Sequence, residues 1–446
     1  VIHSLRIALL MAGLALFQSC SGPERGQKEA PTSSTSLSRL SAKGSKVVNE
    51  NGEEVILRTI GLGGWLLQEG YMLNPQGSTI GTQWQMKKLY YEEGLSEEEV
   101  EDFYQQWRDN FITEKDIHYL ASLGFNAVRI PMHYELFLSS EQRSARNQVI
   151  KDSTQLSSYI DSLSRWLDDE SLFAQAETLE AIKVLDRLLD WCEQEQMYVI
   201  LDLHAAPGGQ GTDVNIADIL VKNDLWYRKD AQGRLIYQDI TVSLWEMLSQ
   251  RYINDDRIAW YDLINEPNNI PSNQPIHDLY ERLINSIRAS GDQHMIMIEG
   301  NGWGNNYDLL LPKDFSTSEN LIYSAHRYWI PPQEDSLPDP NPNQINRMVN
   351  LLAFRDREQV PVWIGETGEN TNEWLAQNIA KLDAANIGWC HWTYKRFDLK
   401  ENAALTRING PFPTDGKKVM AQVIENIKFE NNPPNENTIR AVAPEH

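Results

Sequence analysis

The chain has 446 residues, 41% of them hydrophobic and 14 of them tryptophan, which is enough apolar material for a large core and too much for a disordered chain. Its formal net charge is −23, which excludes nucleic acid and anionic membrane surfaces as natural partners, because both demand basic patches. Cys20, Cys192 and Cys390 have neither CxxC nor Cys/His spacing, so no zinc site or disulfide framework is indicated, and the last two read as buried free thiols.

The first element in chain order is a targeting segment. Arg6 precedes an apolar stretch over residues 7–17, too short to span a bilayer and suited to a signal-peptide core. Cys20 follows and resembles the modified cysteine of a bacterial lipoprotein signal, the alternative being an ordinary secretory signal cleaved nearby. Export is therefore expected, as a periplasmic or outer-membrane lipoprotein or as a secreted protein, with lipid on Cys20 the only membrane contact. Residues 21–46 are rich in Ser, Thr, Gly, Pro, Lys and Glu and read as a flexible linker. Order is expected from Val47, where V-V-N-E-N-G-E-E-V-I-L-R suggests two short strands around Asn51-Gly52.

Beyond the hairpin, short apolar runs alternate with helical patterns. The runs occupy residues 55–62, 126–131, 197–203, 258–264, 294–298, 321–325, 360–365 and 387–392. Most are continuously apolar, as strands buried on both faces must be. Between them, Leu179, Ile182, Leu185, Leu188 and Leu189 fall on one helical face, and residues 277–290, 344–359, 372–385 and 417–429 have similar patterns. Eight strands alternating with helices predict an α/β fold, a (β/α)8 TIM barrel over residues 47–429. A doubly wound open sheet is the alternative, weakened because no Gly-rich phosphate fingerprint follows the first strand. Long insertions at about 66–112, 133–176 and 330–343 would project from the C-terminal face, where a barrel keeps its active site. Residues 430–446 are polar and read as a loose tail.

Chemistry-bearing residues recur at the ends of these runs. The first leads into Gly63-Gly64-Trp65, the second carries Arg129, and the third ends in Asp202-Leu203-His204 before A-A-P-G-G-Q-G. The fourth ends in Asn265-Glu266-Pro267 and the fifth runs to Glu299 and Trp303. The sixth gives His326-Arg327-Tyr328-Trp329, the seventh Gly365-Glu366-Thr367-Gly368, and the eighth His391-Trp392-Thr393-Tyr394. One such residue is ordinary packing, but a set of them at one level of a barrel points to function. Glu266 and Glu366 each close an apolar run, the placement expected of the paired carboxylates of a glycoside hydrolase. Glu369 competes for the second position, and Glu366 is preferred because it directly follows the apolar run.

Asn265-Glu266-Pro267 and Glu366, together with Arg129, His204, His326-x-Tyr328 and Trp392 in that order, resemble the retaining glycoside hydrolases of family 5 over residues 47–428. Gly63-Gly64-Trp65 and the His204 segment are similar to the branch with exo-β-1,3-glucanases, whereas residues 367–372 are closer to bacterial cellulases. The resemblance implies Glu266 as acid/base and Glu366 as nucleophile, with Arg129 and Tyr328 keeping Glu366 ionised. It also implies Asn265 on the sugar 2-hydroxyl, His204 and His326 as a polar wall, and Trp392 stacked on the sugar. Trp65, Trp303, Trp329 and Tyr394 either line outer sugar subsites or simply pack under loops, and Glu69, Asp202 and Glu299 are candidates for sugar hydroxyls, Asp202 reading more as a barrel buttress. The expected partner is a β-glucan polysaccharide or oligosaccharide, β-1,3 or β-1,4 linked, met by a monomer without metal or organic cofactor. β-Mannan or another β-glycan is the alternative substrate, and a catalytically inactive glycan-binding protein the alternative of another class.

Overall fold

In this computed structural model the described residues are 37–74, 77, 79–397 and 404–444. The expected signal segment, Cys20 and most of the expected linker lie outside them. The fold begins earlier than Val47. Strands β1 (Ser41–Lys43) and β2 (Lys46–Val48) pair antiparallel across Gly44, and the Asn51-Gly52 turn that follows closes only an isolated bridge between Val48 and Glu54. Polar composition suggested a tether, but Leu40 is buried among Leu57, Tyr198, Trp260 and Trp363, so residues 37–46 belong to the folded body.

Eight parallel strands then close a barrel: β3 (Arg58–Gly61), β4 (Ala127–His133), β5 (Tyr198–Ala205), β6 (Ile258–Asp262), β7 (Met295–Ile298), β8 (Leu321–Arg327), β9 (Val362–Gly368) and β10 (Trp389–Trp392). They follow one another round the barrel in chain order, and β10 pairs with β3 to complete it. Every residue of β4, β5, β8 and β9 is buried, which is why these segments read as unbroken apolar runs rather than alternating ones. The helices between them bury one stripe each. In Glu180–Gln194 the stripe is Ile182, Leu185, Leu188 and Leu189, each fully buried side chain stabilising the fold by roughly 1.5–3 kcal/mol. Cys192 and Cys390 are buried free thiols, as expected.

The insertions after β3 and β4 are folded segments. The first holds helices Gln83–Glu92 and Glu97–Phe111, started by capping boxes at Thr82 and Ser96, and the second holds helices Ser140–Lys151 and Leu156–Asp168. The chain end also departs from expectation. Residues 436–442 form a helix (Glu436–Val442) that packs on helix Asn372–Ala384, with Ile439 and Val442 buried. The composition of this segment is polar, and its docking rests on a short buried face of Thr438, Ile439 and Val442.

Candidate active site

Arg129 lies on β4 with its guanidinium wholly buried at the centre of a carboxylate layer. Its Nη1 donates to Glu366 Oε1 at 2.5 Å and its Nη2 to Asp262 Oδ2 and Asn265 Oδ1, both at 2.7 Å. Asp202 and Glu299 lie 3.2 Å and 3.6 Å from the same nitrogen. Burial works against this charge, but Asp202, Asp262, Glu366 and Glu299 together hold Arg129 protonated.

Glu366, on β9, accepts a second hydrogen bond from the Tyr328 hydroxyl at 2.9 Å. Burial raises its proton affinity, but His326, Arg129 and His204 outweigh that and hold its carboxyl below the usual range. Glu266 follows β6 with φ +47°, a left-handed conformation that costs a side-chain-bearing residue about 1–3 kcal/mol. Two bonds hold it there: its N–H donates to Glu299 Oε2 at 2.7 Å, and its carbonyl accepts from Asn268 Nδ2 at 3.0 Å. Its side-chain Oε1 lies 2.5 Å from His326 Nδ1. Here burial dominates, and despite His326 the carboxyl is pushed up to about 7. One donor atom from each of Glu266, His326 and Glu366 lies within 4.8 Å of the other two. Both ring nitrogens of His326 already face carboxylates, Nδ1 toward Glu266 and Nε2 toward Glu299.

The walls grow from the neighbouring strand ends. Asp202 accepts from His204 Nδ1 at 2.7 Å, and the ring stacks on Trp392 with centroids 5.2 Å apart and planes 2° from parallel. Trp392 Nε1 donates to the Tyr71 hydroxyl at 3.0 Å. The turn after His204 needs its glycines: Gly208 and Gly209 have φ +77° and +80°, and a Cβ on either would meet Tyr237 or Ile219 at 2.3 Å or less. The resulting cavity of about 560 Å³ is lined by Glu69, Tyr71, His204, Glu266, His326, Tyr328, Glu366, Glu369 and Trp392, by Asp213, Asn215 and Ile216, and by Trp303 and Trp329. A second depression of about 410 Å³ adjoins it and shares Tyr328, Trp329, Gln344 and Asn346. Trp303 is 42% exposed and Trp329 67%, unusual values for tryptophan.

The residues expected to act together do meet, in two layers. Glu266, Glu366, His204, His326, Tyr328, Trp392 and Trp303 line the cavity. Arg129 and Asn265 sit beneath it, both fully buried, with Asn265 Nδ2 3.3 Å from His204 Nε2. Trp65 is not at the site: it is buried, and its Nε1 donates to the carbonyl of Arg108 at 2.8 Å, so it packs the inserted helix. Tyr394 likewise donates to buried Asp116. Glu299 turns away from the cavity toward His326 and the Glu266 backbone. Asp202 buttresses His204 and Arg129, as its position suggested. Tyr71, Asp213, Asn215, Gln344 and Asn346 had no sequence signal, because loops far apart in the chain bring them to the cavity.

Known proteins share this chain's pattern. The model of the cellulases, glycosyl hydrolase family 5, matches residues 90–398. A β-xylosidase of Phanerodontia chrysosporium is 29% identical over 382 residues, covering 80% of this chain and 71% of that protein. Endoglucanase C of Acetivibrio thermocellus is 22% identical over 341 residues, 66% of this chain and 86% of that protein. A probable glucan 1,3-β-glucosidase A of Emericella nidulans is 24% identical over 283 residues, 61% of this chain and 57% of that protein. The family match spans more than half of the chain and includes both carboxylates and the barrel strands that carry them, so this chain is a glycoside hydrolase and belongs to glycosyl hydrolase family 5.

Proposed function

We propose that the enzyme is a retaining hydrolase of β-glucosidic bonds in a β-glucan, β-1,3 or β-1,4, with Glu366 as nucleophile and Glu266 as acid/base. The observation that carries this is the close pair of carboxyls with opposite proton affinities, their nearest atoms within 4.8 Å. Retention needs carboxyl groups ~5–5.5 Å apart and inversion ~6.5–9.5 Å. Glu366 attacks the anomeric carbon while Glu266 protonates the departing oxygen. Glu266 then takes a proton from water, which releases the sugar from Glu366. Arg129 and Tyr328 hold Glu366 ionised, His204 faces the sugar with Asn265 behind it, and Trp392 offers its face to the sugar. The leaving group exits over Trp303, whose backbone N–H donates to the carbonyl of Pro267 beside Glu266, and Trp329 carries it toward the second depression.

The names of the endoglucanase and the 1,3-β-glucosidase support glucose in the cavity. A second reading, a β-xyloside, is favoured by the 29% identity to a β-xylosidase. Activity on aryl β-glucoside against aryl β-xyloside, with a product profile on laminarin, cello-oligosaccharides, xylo-oligosaccharides and mannan, separates the two. Glu366→Ala abolishes hydrolysis, and azide restores turnover of an activated aryl glycoside. Wild-type activity in that variant, or a first-formed product of inverted configuration, overturns the mechanism. Binding without any sugar release across the panel would instead favour a glycan-binding protein.

A further inference from the structure

Glu299 directly follows β7, is wholly buried, and spends both carboxylate oxygens at one place. Oε2 accepts the N–H of Glu266 at 2.7 Å, and Oε1 faces His326 Nε2 at 3.0 Å. His326 presents its other nitrogen to Glu266 Oε1. One carboxylate therefore holds Glu266 twice, by its main chain directly and by its side chain through an imidazole. Neutralising Arg129 does not explain this arrangement, because Asp202, Asp262 and Glu366 all approach that guanidinium more closely than Glu299 does.

We propose that Glu299 is a positioning residue for the acid/base: it keeps His326 a cation donating from both nitrogens, so that Glu266 Oε1 is committed as an acceptor and Oε2 carries the transferable proton. The inference rests on the acid/base role proposed for Glu266. In the first step the Oε2 proton moves to the glycosidic oxygen as the bond from that oxygen to the anomeric carbon breaks and Glu366 bonds to that carbon. In the second, water gives its proton to Oε2 and its oxygen to the anomeric carbon, and the bond to Glu366 breaks. His326 keeps both protons throughout.

The charges around the pair favour this state. Glu299 is faced by His326 from β8, Arg129 from β4, Asp262 from β6, and the tyrosines Tyr280 and Tyr307. Glu266 is faced by His326, Glu366 and Glu299. Burial works to discharge the imidazole, and Glu299 leads the three carboxylates that keep it protonated. Glu299 itself, despite burial, is held down at about 2 by His326 and Arg129, so it stays an anion at every working pH.

Glu299→Gln removes one negative charge, which lowers the proton affinity of the Glu266–His326 pair. It also replaces one of the two accepting oxygens with an NH2 donor, so that either Glu266 N–H or His326 Nε2 faces a donor in place of its acceptor. The expected result is a kcat lowered on the order of 10²-fold and an alkaline limb of the pH profile moved down by about one pH unit. Glu299→Asp, which keeps the charge and shortens the reach, returns the limb to its wild-type position while kcat stays depressed. A folded Glu299→Gln whose alkaline limb has not moved overturns the inference. If Glu299→Gln does not fold, Glu299→Asp decides, and a wild-type kcat in that variant overturns it. Glu266→Gln, assayed on a glycoside with a poor leaving group, separates the layers. Wild-type activity there sinks the acid/base role itself, whereas lost activity with an unmoved Glu299→Gln limb sinks only the role of Glu299.

Discussion

Glu266 and Glu366 bring the same side chain into the same cavity, and only their surroundings differ. Glu366 has a guanidinium at 2.5 Å and a phenol at 2.9 Å, whereas Glu266 has burial and one imidazole it shares with another carboxylate. Burial favours the neutral acid at both, and only at Glu366 do the surrounding cations overcome it. The pH dependence follows with its sign. In the acid/base role proposed for it Glu266 works protonated, so activity is lost as pH rises through about 7. As the proposed nucleophile Glu366 works ionised, so activity is lost as pH falls through a value below that of an ordinary glutamate. The kcat/KM profile should therefore be a bell whose alkaline limb lies near 7. Tyr328→Phe deletes a hydrogen bond to a charged group, worth about 1.5–3 kcal/mol. That should raise the acid limb by about one to two pH units and leave the alkaline limb in place. A wild-type rate that is flat from pH 6 to pH 9 would contradict the assignment of Glu266.

At the scale of elements, the barrel strands supply the chemistry and the inserted helices set the cavity wall. A buried charge network ties them together. His133, which ends β4, meets Asp218 Oδ2 at 2.5 Å, and Arg146 donates to Glu135 at 2.6 Å and to Asp218 at 2.8 Å. Lys87 and Gln83 from the first insertion also reach Glu135, and the backbone N–H of Trp84 donates to Asp218. Asp218 lies just beyond Asp213, Asn215 and Ile216, so this network fixes the segment that lines one side of the cavity. Removing one partner of a buried ion pair costs about 3–5 kcal/mol. Arg146→Ala is expected to lose stability of that order in urea unfolding. In the fraction that folds, KM on an oligosaccharide should rise more than kcat falls, because the wall moves while Glu366 stays on β9 and Glu266 in the turn after β6. An unchanged KM would detach the network from the site. The sequence made the strands legible for a physical reason: a strand buried on both faces must be continuously apolar, and the residue that ends it stands out. The wall was not legible, since Asp213 and Asn215 are ordinary loop residues until Asp218 meets Arg146, 72 positions away. Trp65 misled for the related reason that an indole beside two glycines looks the same in sequence whether it faces a sugar or a helix.

At the scale of the whole molecule, a barrel has two ends, and only one can be the site. The lower end is closed by the segment before β3, where Leu40 and Leu57 cover Tyr198, Trp260, Met295 and Trp363. The chain's other end is also used, since helix Glu436–Val442 docks on the outer helix Asn372–Ala384. Both segments looked loose in sequence because polar residues dominate their composition, while their anchoring rests on a few scattered buried side chains such as Leu40, Ile439 and Val442 and on hydrogen bonds such as that of Arg39. The C-terminal helix offers a clean measurement. Ile439 is 2% exposed, and neighbouring Arg440 is exposed and, among the described residues, bonds to Asn437 within its own helix. If the helix is docked in solution, Ile439→Ala creates a cavity and costs roughly 2–5 kcal/mol, whereas Arg440→Ala changes stability by less than about 0.5 kcal/mol. If the segment is a free tail, the two substitutions are equally silent. Thermal unfolding of both variants distinguishes the cases. Activity at 25 °C should be unaffected by either, because no residue of this helix lines the cavity.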